Sequence, residues 1–249
     1  MTLRHITAIH FDGHAEATKK RVQKLKAAGY IRARSRGTNE PAIHFLTRKA
    51  FDAVSQNGML PKTPKIGWAA QEKRMKVSDL TLRHELGVMD CKAALFAAVR
   101  SQPELSLAEF STWPQQIQFK AIHPVSGAKV VVKPDGFIRL EAMRGKTKTH
   151  VFFLEVDYST ETLETLVMKI RCYRNYYRHG GFAKQRGHHV TEHRKFPFRV
   201  LVVCKSAERR DNLAELLRSS TPPIKTFTCL ATHQEFRDNS MGTLFALPV

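Results

Sequence analysis

Apolar positions recur along this chain with two different periods, and the switches between them mark its parts. Ile6, Ile9 and Phe11 fall at helical spacing and stop at the turn Asp12-Gly13, which predicts a short first helix. Over residues 14–28 the apolar side is Thr18, Val22 and Leu25, a second helix, and Gly29 supplies the residue tolerant of positive φ that ends it. Two short strands then flank a polar tip: residues 30–34 and 42–46 around 35–40. A third helix runs from about Thr47 to Val54, and Asn57-Gly58 closes this part.

Pro61 and Pro64, with few apolar anchors around them, read as a linker. The expected organisation is therefore a first domain over 1–58, a linker over 59–75 and a second domain over 76–249. The second domain opens with a helix over 80–100, where Leu86, Met89, Ala93 and Phe96 form one broad face. Strand signals follow at 118–122, 129–133, 136–140 and 150–156, with turns at Ser126-Gly127 and Gly145. Leu163, Leu166, Val167 and Ile170 predict a long helix from Ser159 or Thr160 to Tyr177, with Glu161 and Glu164 in its first turns. Residues 198–204 are continuously apolar, as in a strand buried on both faces. A helix over 207–218 and strands near 224–229 and 243–247 complete the chain. Consecutive strands followed by a strand-helix-strand crossover predict a mixed α/β sheet.

Composition narrows the functions open to this fold. With 249 residues and 42% hydrophobic content, the chain can build real cores and is not a disordered basic tail. No apolar run approaches the roughly 20 residues that span a bilayer, and the first residues carry no secretory apolar region. Cys91, Cys172, Cys204 and Cys229 are scattered without a Cys-x-x-Cys pair, the pattern of buried, reduced thiols in a cytoplasm. Lys and Arg number 41 against 22 Asp and Glu, a net charge of +19, which points to a polyanionic partner. An anionic membrane is the weaker choice, because no stretch joins a basic face to a Trp/Leu face.

The cations are not spread evenly. Helix, turn, helix, basic hairpin, helix is the order of a winged helix-turn-helix, in which one helix enters the major groove of duplex DNA and the hairpin follows the backbone. The polar side of the second helix carries Lys19, Lys20, Gln23, Lys24 and Lys26; the hairpin carries Arg32, Arg34 and Arg36, and no acid occurs between Glu16 and Glu40. The bland alternative is a solvated charged face. A second basic stretch includes Arg171, Arg174, Arg178, Lys184, Arg186, Arg194, Lys195 and Arg199 against the single acid Glu192. Tyr173, Tyr176 and Tyr177 are interleaved, a mixture suited to backbone contact and base stacking. Competing readings are a solvated loop, or a zinc site from His179, His188, His189 and His193, which lacks cysteines and helical ligand spacing. Both basic surfaces together would make roughly 6–10 phosphate contacts, and affinity would fall about 10³–10⁵-fold between 50 and 200 mM salt.

Against this charge, three acids stand close together: Asp135 after Pro134, then Glu155 and Asp157 at the end of a later strand. Neighbouring strands lie about 4.8 Å apart, so Asp135 and Glu155 can share one divalent ion if the register suits. Oxygen ligands alone fit Mg²⁺ or Mn²⁺, and such an ion activates water for phosphodiester cleavage. The alternative is hairpin chemistry at Pro134-Asp135-Gly136 and helix capping by Glu155 and Asp157.

Pro134-Asp135 and Glu155-Val156-Asp157 resemble the two motif positions of the PD-(D/E)xK nuclease superfamily, whose restriction-endonuclease-like core is likewise helix, three-stranded meander, helix, strand. The resemblance implies Asp135 and Glu155 as metal ligands. The family's motif lysine is Asp157 here, and Lys169, four residues before Tyr173, resembles the migrated lysine of some members. Glu85 stands where an extra upstream acid is expected. A retained fold without cleavage is the favoured form of this reading, and a metal-dependent endonuclease its competitor.

End to end, the chain resembles the replication-relaxation family of plasmids and other mobile elements. The likeness rests on residues 17–31, His84-Glu85, Pro134-Asp135-Gly136, Phe153 to Leu163, Lys169 to Tyr173, and the late apolar strand with the Glu208-Arg209-Arg210-Asp211 run after it. The resemblance implies a sequence-specific DNA-binding accessory at a replication or transfer origin. A relaxase or replication protein would be its partner, and a homodimer would read a symmetric site.

Overall fold

The computed structural model describes residues 1–34, 36–37, 40–60, 67–144 and 146–245. Parts of the predicted hairpin tip (35, 38, 39), the linker (61–66), the turn at Gly145 and the end of the last predicted strand (246–247) lie outside them. The chain is mixed α/β and divides into two units, Met1–Ala97 and Ala98–Val249.

The first unit holds α1 (Leu3–His10), α2 (Ala15–Ala27), β1 (Ile31–Arg34), β2 (Ile43–Leu46), α3 (Arg48–Gln56), α4 (Trp68–Met75) and most of α5 (Asp79–Arg100). Thr2 caps α1 and Thr47 caps α3, each accepting a backbone N–H with its hydroxyl. β1 and β2 form an antiparallel hairpin with Arg32 opposite Phe45. Ile9, Val22, Ile43, Ala50 and Phe51 are buried, the first two on the sides that the helical spacing marked.

The end of the linker departs from expectation. Trp68 to Met75 is helical rather than extended, because Trp68 gives the segment an apolar anchor 5.8 Å from the ring of Phe51. Polar ties hold the following helix to the same unit. Asp79 accepts from Arg34 at 2.7 Å, and Asp90 meets Arg4 and the buried His5, the latter at 2.9 Å. The first unit thus runs through α4 and into α5.

The second unit is built on a five-stranded sheet of order β3-β6-β7-β8-β9: Leu105–Ser111, Gly136–Arg144, Lys146–Asp157, Arg199–Cys204 and Thr228–Thr232. The β3-β6 and β6-β7 pairs are antiparallel; β7-β8 and β8-β9 are parallel. A separate hairpin joins β4 (Phe119–Ile122) to β5 (Lys129–Val132) after the short α6 (Pro114–Ile117). The strand at 118–122 therefore belongs to a satellite hairpin, and the first sheet strand is β3, which periodicity does not reveal. In β3 the register slips between Leu107 and Glu109, so one extra residue breaks the alternation of two.

Among the described residues, five helices and a short 3₁₀ turn complete the unit alongside α6. The first two are α7 (Leu163–Arg178) and α8 (Gly181–Gln185), followed by the turn Val190–Lys195. Then come α9 (Ala207–Ser219), α10 (His233–Asp238) and α11 (Ser240–Phe245). The start of α7 falls three residues after the predicted one: Ser159 has φ 63, which interrupts a helix, and Thr162 is the cap. The last predicted strand is instead helix over its described part. Asn239 Oδ1 accepts the N–H of Gly242 at 2.8 Å and starts a turn that strand-forming residues do not outvote.

Phe137, Phe153, Val200 and Val202 meet Ile170, Tyr173, Leu213 and Leu217 in one core, so α7 and α9 cover the same sheet face. Gly180 and Gly181 let α8 approach α7: a Cβ on Gly181 would lie 2.3 Å from the ring of Tyr176.

Candidate nucleic-acid interface

In the first unit, α2 buries Thr18 and Val22 and exposes the other side of its cylinder. Lys19, Lys20, Gln23, Lys24 and Lys26 are all exposed, as is Arg21 among them. They are not equally available to an anion. Lys19 donates to Glu16 at 2.7 Å, one turn back. Lys20, Lys24 and Lys26 have no ion pair among the described residues.

The hairpin divides in the same way. Arg32 is exposed and has no ion pair among the described residues. Arg34 donates to Asp79 at 2.7 Å and to the carbonyl of Val77 at 3.1 Å, and Arg36 donates to Glu40 at 2.7 Å. Two of the three hairpin arginines thus have partners within the fold. Those partners lie 4 and 45 residues away, and only the nearer pairing was open to inspection of spacing.

In the second unit, the register pairs Gly136 with Leu154, so Asp135 stands opposite Glu155 one step further on. Asp135 closes the end of the ladder: its N–H donates to the Leu154 carbonyl at 3.0 Å, and its Oδ2 accepts the N–H of Val156 at 2.7 Å. Glu155 shares a sheet face with Phe153 and is 3% exposed. Its Oε2 accepts from Lys169 Nζ at 2.5 Å, and its Oε1 accepts the hydroxyl of Tyr173, which is fully buried. Lys169 and Tyr173, one turn apart on α7, therefore close over one carboxyl.

Burial pushes Glu155 up to about 7; the charge of Asp135 adds to this, while Lys169 and Tyr173 pull it back. Burial is the largest single influence on Lys169 and lowers it, but the charge and hydrogen bond of Glu155 with the charges of Asp135 and Glu161 together outweigh it, and the ammonium ends above its ordinary value. The partners differ because the carboxyl has lost its water, whereas the lysine side chain keeps 24% of its surface exposed. The Tyr173 hydroxyl is held well above its usual range by burial and by Glu155.

Asp157 belongs to a different contact. Arg209, near the start of α9, donates to both of its oxygens, one at 3.0 Å, and also to the Glu161 carbonyl at 2.6 Å. Asp157 also accepts the N–H of Ser159 at 2.9 Å, so it fixes the turn between β7 and α7. Arg209→Ala should cost roughly 3 kcal/mol in urea unfolding, because Asp157 would keep a buried charge without its counterion.

The expected cation does not fit this arrangement. Both Glu155 oxygens already accept protein donors, and among the described residues no three His, Cys, Asp or Glu side chains converge to hold a metal. A divalent ion at Glu155 would have to displace an ammonium 2.5 Å away. Glu85 lies in the first unit, 3.6 Å from Arg74.

A family model for replication-relaxation proteins matches residues 1–191, most of the chain. The chain belongs to the replication-relaxation family. No curated protein and no solved structure matches it.

In this replication-relaxation protein the second basic stretch is partly built into the fold. Tyr173 and Tyr176 are buried in the aromatic core, Tyr176 stacking on Phe119 at 4.0 Å, so neither presents a ring to a base. Arg174 donates to the carbonyls of Pro222 and Pro223 at 3.0 and 3.4 Å, and Arg171 to that of Thr221 at 3.5 Å. Arg178, Lys184 and Arg186 remain exposed. The histidines serve local structure: His189 accepts the N–H of Thr191, and His179 contacts the Asn175 carbonyl at 2.7 Å. Residues 181–195 are mostly helical turns around buried Phe182 and Ala183, not an open loop. The four cysteines are free and buried, and among the described residues no helix is long and apolar enough to cross a membrane.

Proposed function

We propose that this replication-relaxation protein binds duplex DNA as an accessory of mobile-element replication or transfer. Its first unit would act as a winged helix-turn-helix and its second as a nuclease-like domain that holds DNA without cutting it. The observation that carries this reading is the exposed surface of α2, where Lys20 and Lys24 lie one turn apart and Lys26 flanks them, none with an ion pair among the described residues, with Arg32 likewise on β1. Such cations supply the sequence-independent part of DNA affinity by releasing condensed counterions. Gln23, on the same exposed surface, is placed to read base edges once the helix lies in the groove.

Titration of a fluorescent element-derived duplex at several salt concentrations tests the reading. Four phosphate contacts from the first unit give a slope of log affinity against log salt of about −3.6, steeper if Arg178 and Lys184 join. A slope near zero would remove the proposal. The saturated Glu155 carboxyl favours binding over cleavage. Supercoiled plasmid incubated with Mn²⁺ should accordingly remain intact; nicking that Asp135→Ala abolishes would establish the endonuclease in its place. A relaxase or replication protein is the partner such an accessory would meet at an origin.

A further inference from the structure

A cavity of about 220 Å³ opens in the second unit. Its floor is Phe137, Phe153 and Phe182, and its polar margin is Glu109, Gln185 and Arg186. The volume is below the roughly 300–1,000 Å³ of sites for drug-sized ligands, so it suits one planar ring system.

Three features make this a built site. The first is the extra residue in β3. Leu107 pairs with Leu140, but Glu109 pairs with Arg139 and Ser111 with Phe137. In a regular strand Glu109 would share the face of Leu107; the slip moves it to the face of Phe137, where the cavity lies. The second is Arg186, whose guanidinium sits over Phe137 at 5.4 Å and Phe182 at 5.2 Å and has no ion pair among the described residues. The third is Gln185, whose Oε1 accepts from Tyr176 at 2.7 Å, which leaves its amide N–H groups as donors. Among the described residues Glu109 has one long contact, 3.7 Å from Arg139 Nε, beyond hydrogen-bond range.

We propose that this cavity holds an unpaired guanine ring. Guanine offers two acceptors, O6 and N7, to a guanidinium, and N–H donors on another edge to a carboxylate. Adenine would turn its amino group against the donors of Arg186. Phe137, Phe153 and Phe182 are buried and supply an apolar wall rather than open ring faces, and the Arg186 guanidinium over two of them faces the ring that enters. A base within an intact duplex cannot enter, so the ligand is a bulged or single-stranded guanine, and this source rests on the DNA-binding reading above; a free guanine nucleotide presents the same ring.

The test uses the full chain and three duplexes: fully paired, with one bulged guanine, and with one bulged adenine. The guanine bulge should bind about tenfold more tightly than the other two, the discrimination of one good bidentate contact. Within Glu109→Ala and Glu109→Gln, the ratio of guanine-bulge to adenine-bulge affinity should fall towards one, and far-UV circular dichroism checks that both variants fold. Calorimetric titration with GMP and AMP separates the sources. GMP binding without a bulge preference assigns the cavity to a free nucleotide and overturns the DNA source. Equal affinity for all three duplexes, with no GMP binding, overturns the proposal and leaves duplex binding standing. Failure of every duplex to bind removes the DNA-binding reading, and GMP alone then decides the cavity.

Discussion

Replacing Lys20, Lys24 and Lys26 together by glutamine should weaken duplex binding about 10²-fold at 0.15 M salt. Three lost phosphate contacts reduce the salt slope by about 2.7, which corresponds to roughly two decades at that concentration. The three side chains are exposed on one helix, so their removal should leave the fold and its melting temperature nearly unchanged. Lys19→Gln is the internal comparison. Its ammonium is already 2.7 Å from Glu16, so its loss should matter less than that of any of the three. Fluorescence anisotropy across a salt series measures both quantities. Unchanged affinity and slope in the triple variant would refute α2 as the DNA-contacting helix.

The second large effect is one of stability and depends on pH. Lys169→Met removes the ammonium from a carboxyl that is 3% exposed, and at pH 8 it should cost about 2 kcal/mol in urea unfolding: ~1 for the hydrogen bond and at most ~1.4 more because the carboxyl must then hold its proton one unit above its folded value. The sign follows from the raised value of Glu155. In the folded chain this carboxyl holds its proton up to about 7, whereas an unfolded glutamate releases it near the ordinary 4.5. The folded state therefore binds the extra proton between those values, and the stability contributed by Glu155 is complete below 4.5 and lost as pH rises through 7. At pH 4.5 the carboxyl is neutral with or without Lys169, so the cost of the substitution should shrink to about 1 kcal/mol, that of one hydrogen bond. The share of Lys169 itself, whose value is raised, disappears only above its ordinary 10.5, outside this window. An equal cost at pH 4.5 and pH 8 would show that Glu155 is not the group being neutralised.

Local periodicity made much of this chain legible. The spacing of Thr18, Val22 and Leu25 located α2 and its exposed side, and the alternation before Glu155 located β7. Pro134-Asp135-Gly136 and the strand after it sufficed to bring Asp135 and Glu155 onto neighbouring strands. What stayed hidden depends on contacts between distant residues. Arg34 looks like a free hairpin cation until Asp79, 45 residues on, is seen beside it. Arg209 has no spacing relation to Asp157, 52 residues earlier, and Arg174 is occupied by carbonyls nearly fifty residues away. Tyr173 and Tyr176 carried an ambiguous signal. The positions that interleave them with arginines also continue the apolar face of Leu166 and Ile170, and packing chose the second meaning. β3 escaped notice because its extra residue shifts the alternating pattern midway.

The irregularity in β3 also bears on how the protein behaves when concentrated. β3 is an edge strand of its sheet, a place where another chain's strand could be added and a fibril begun. A ladder that slips after Leu107 offers regular pairing only in short runs on either side, and the added twist turns the strand out of line with an incoming one. Together with mutual repulsion at a charge of +19, this makes colloidal stability a by-product of the same backbone step that aims Glu109.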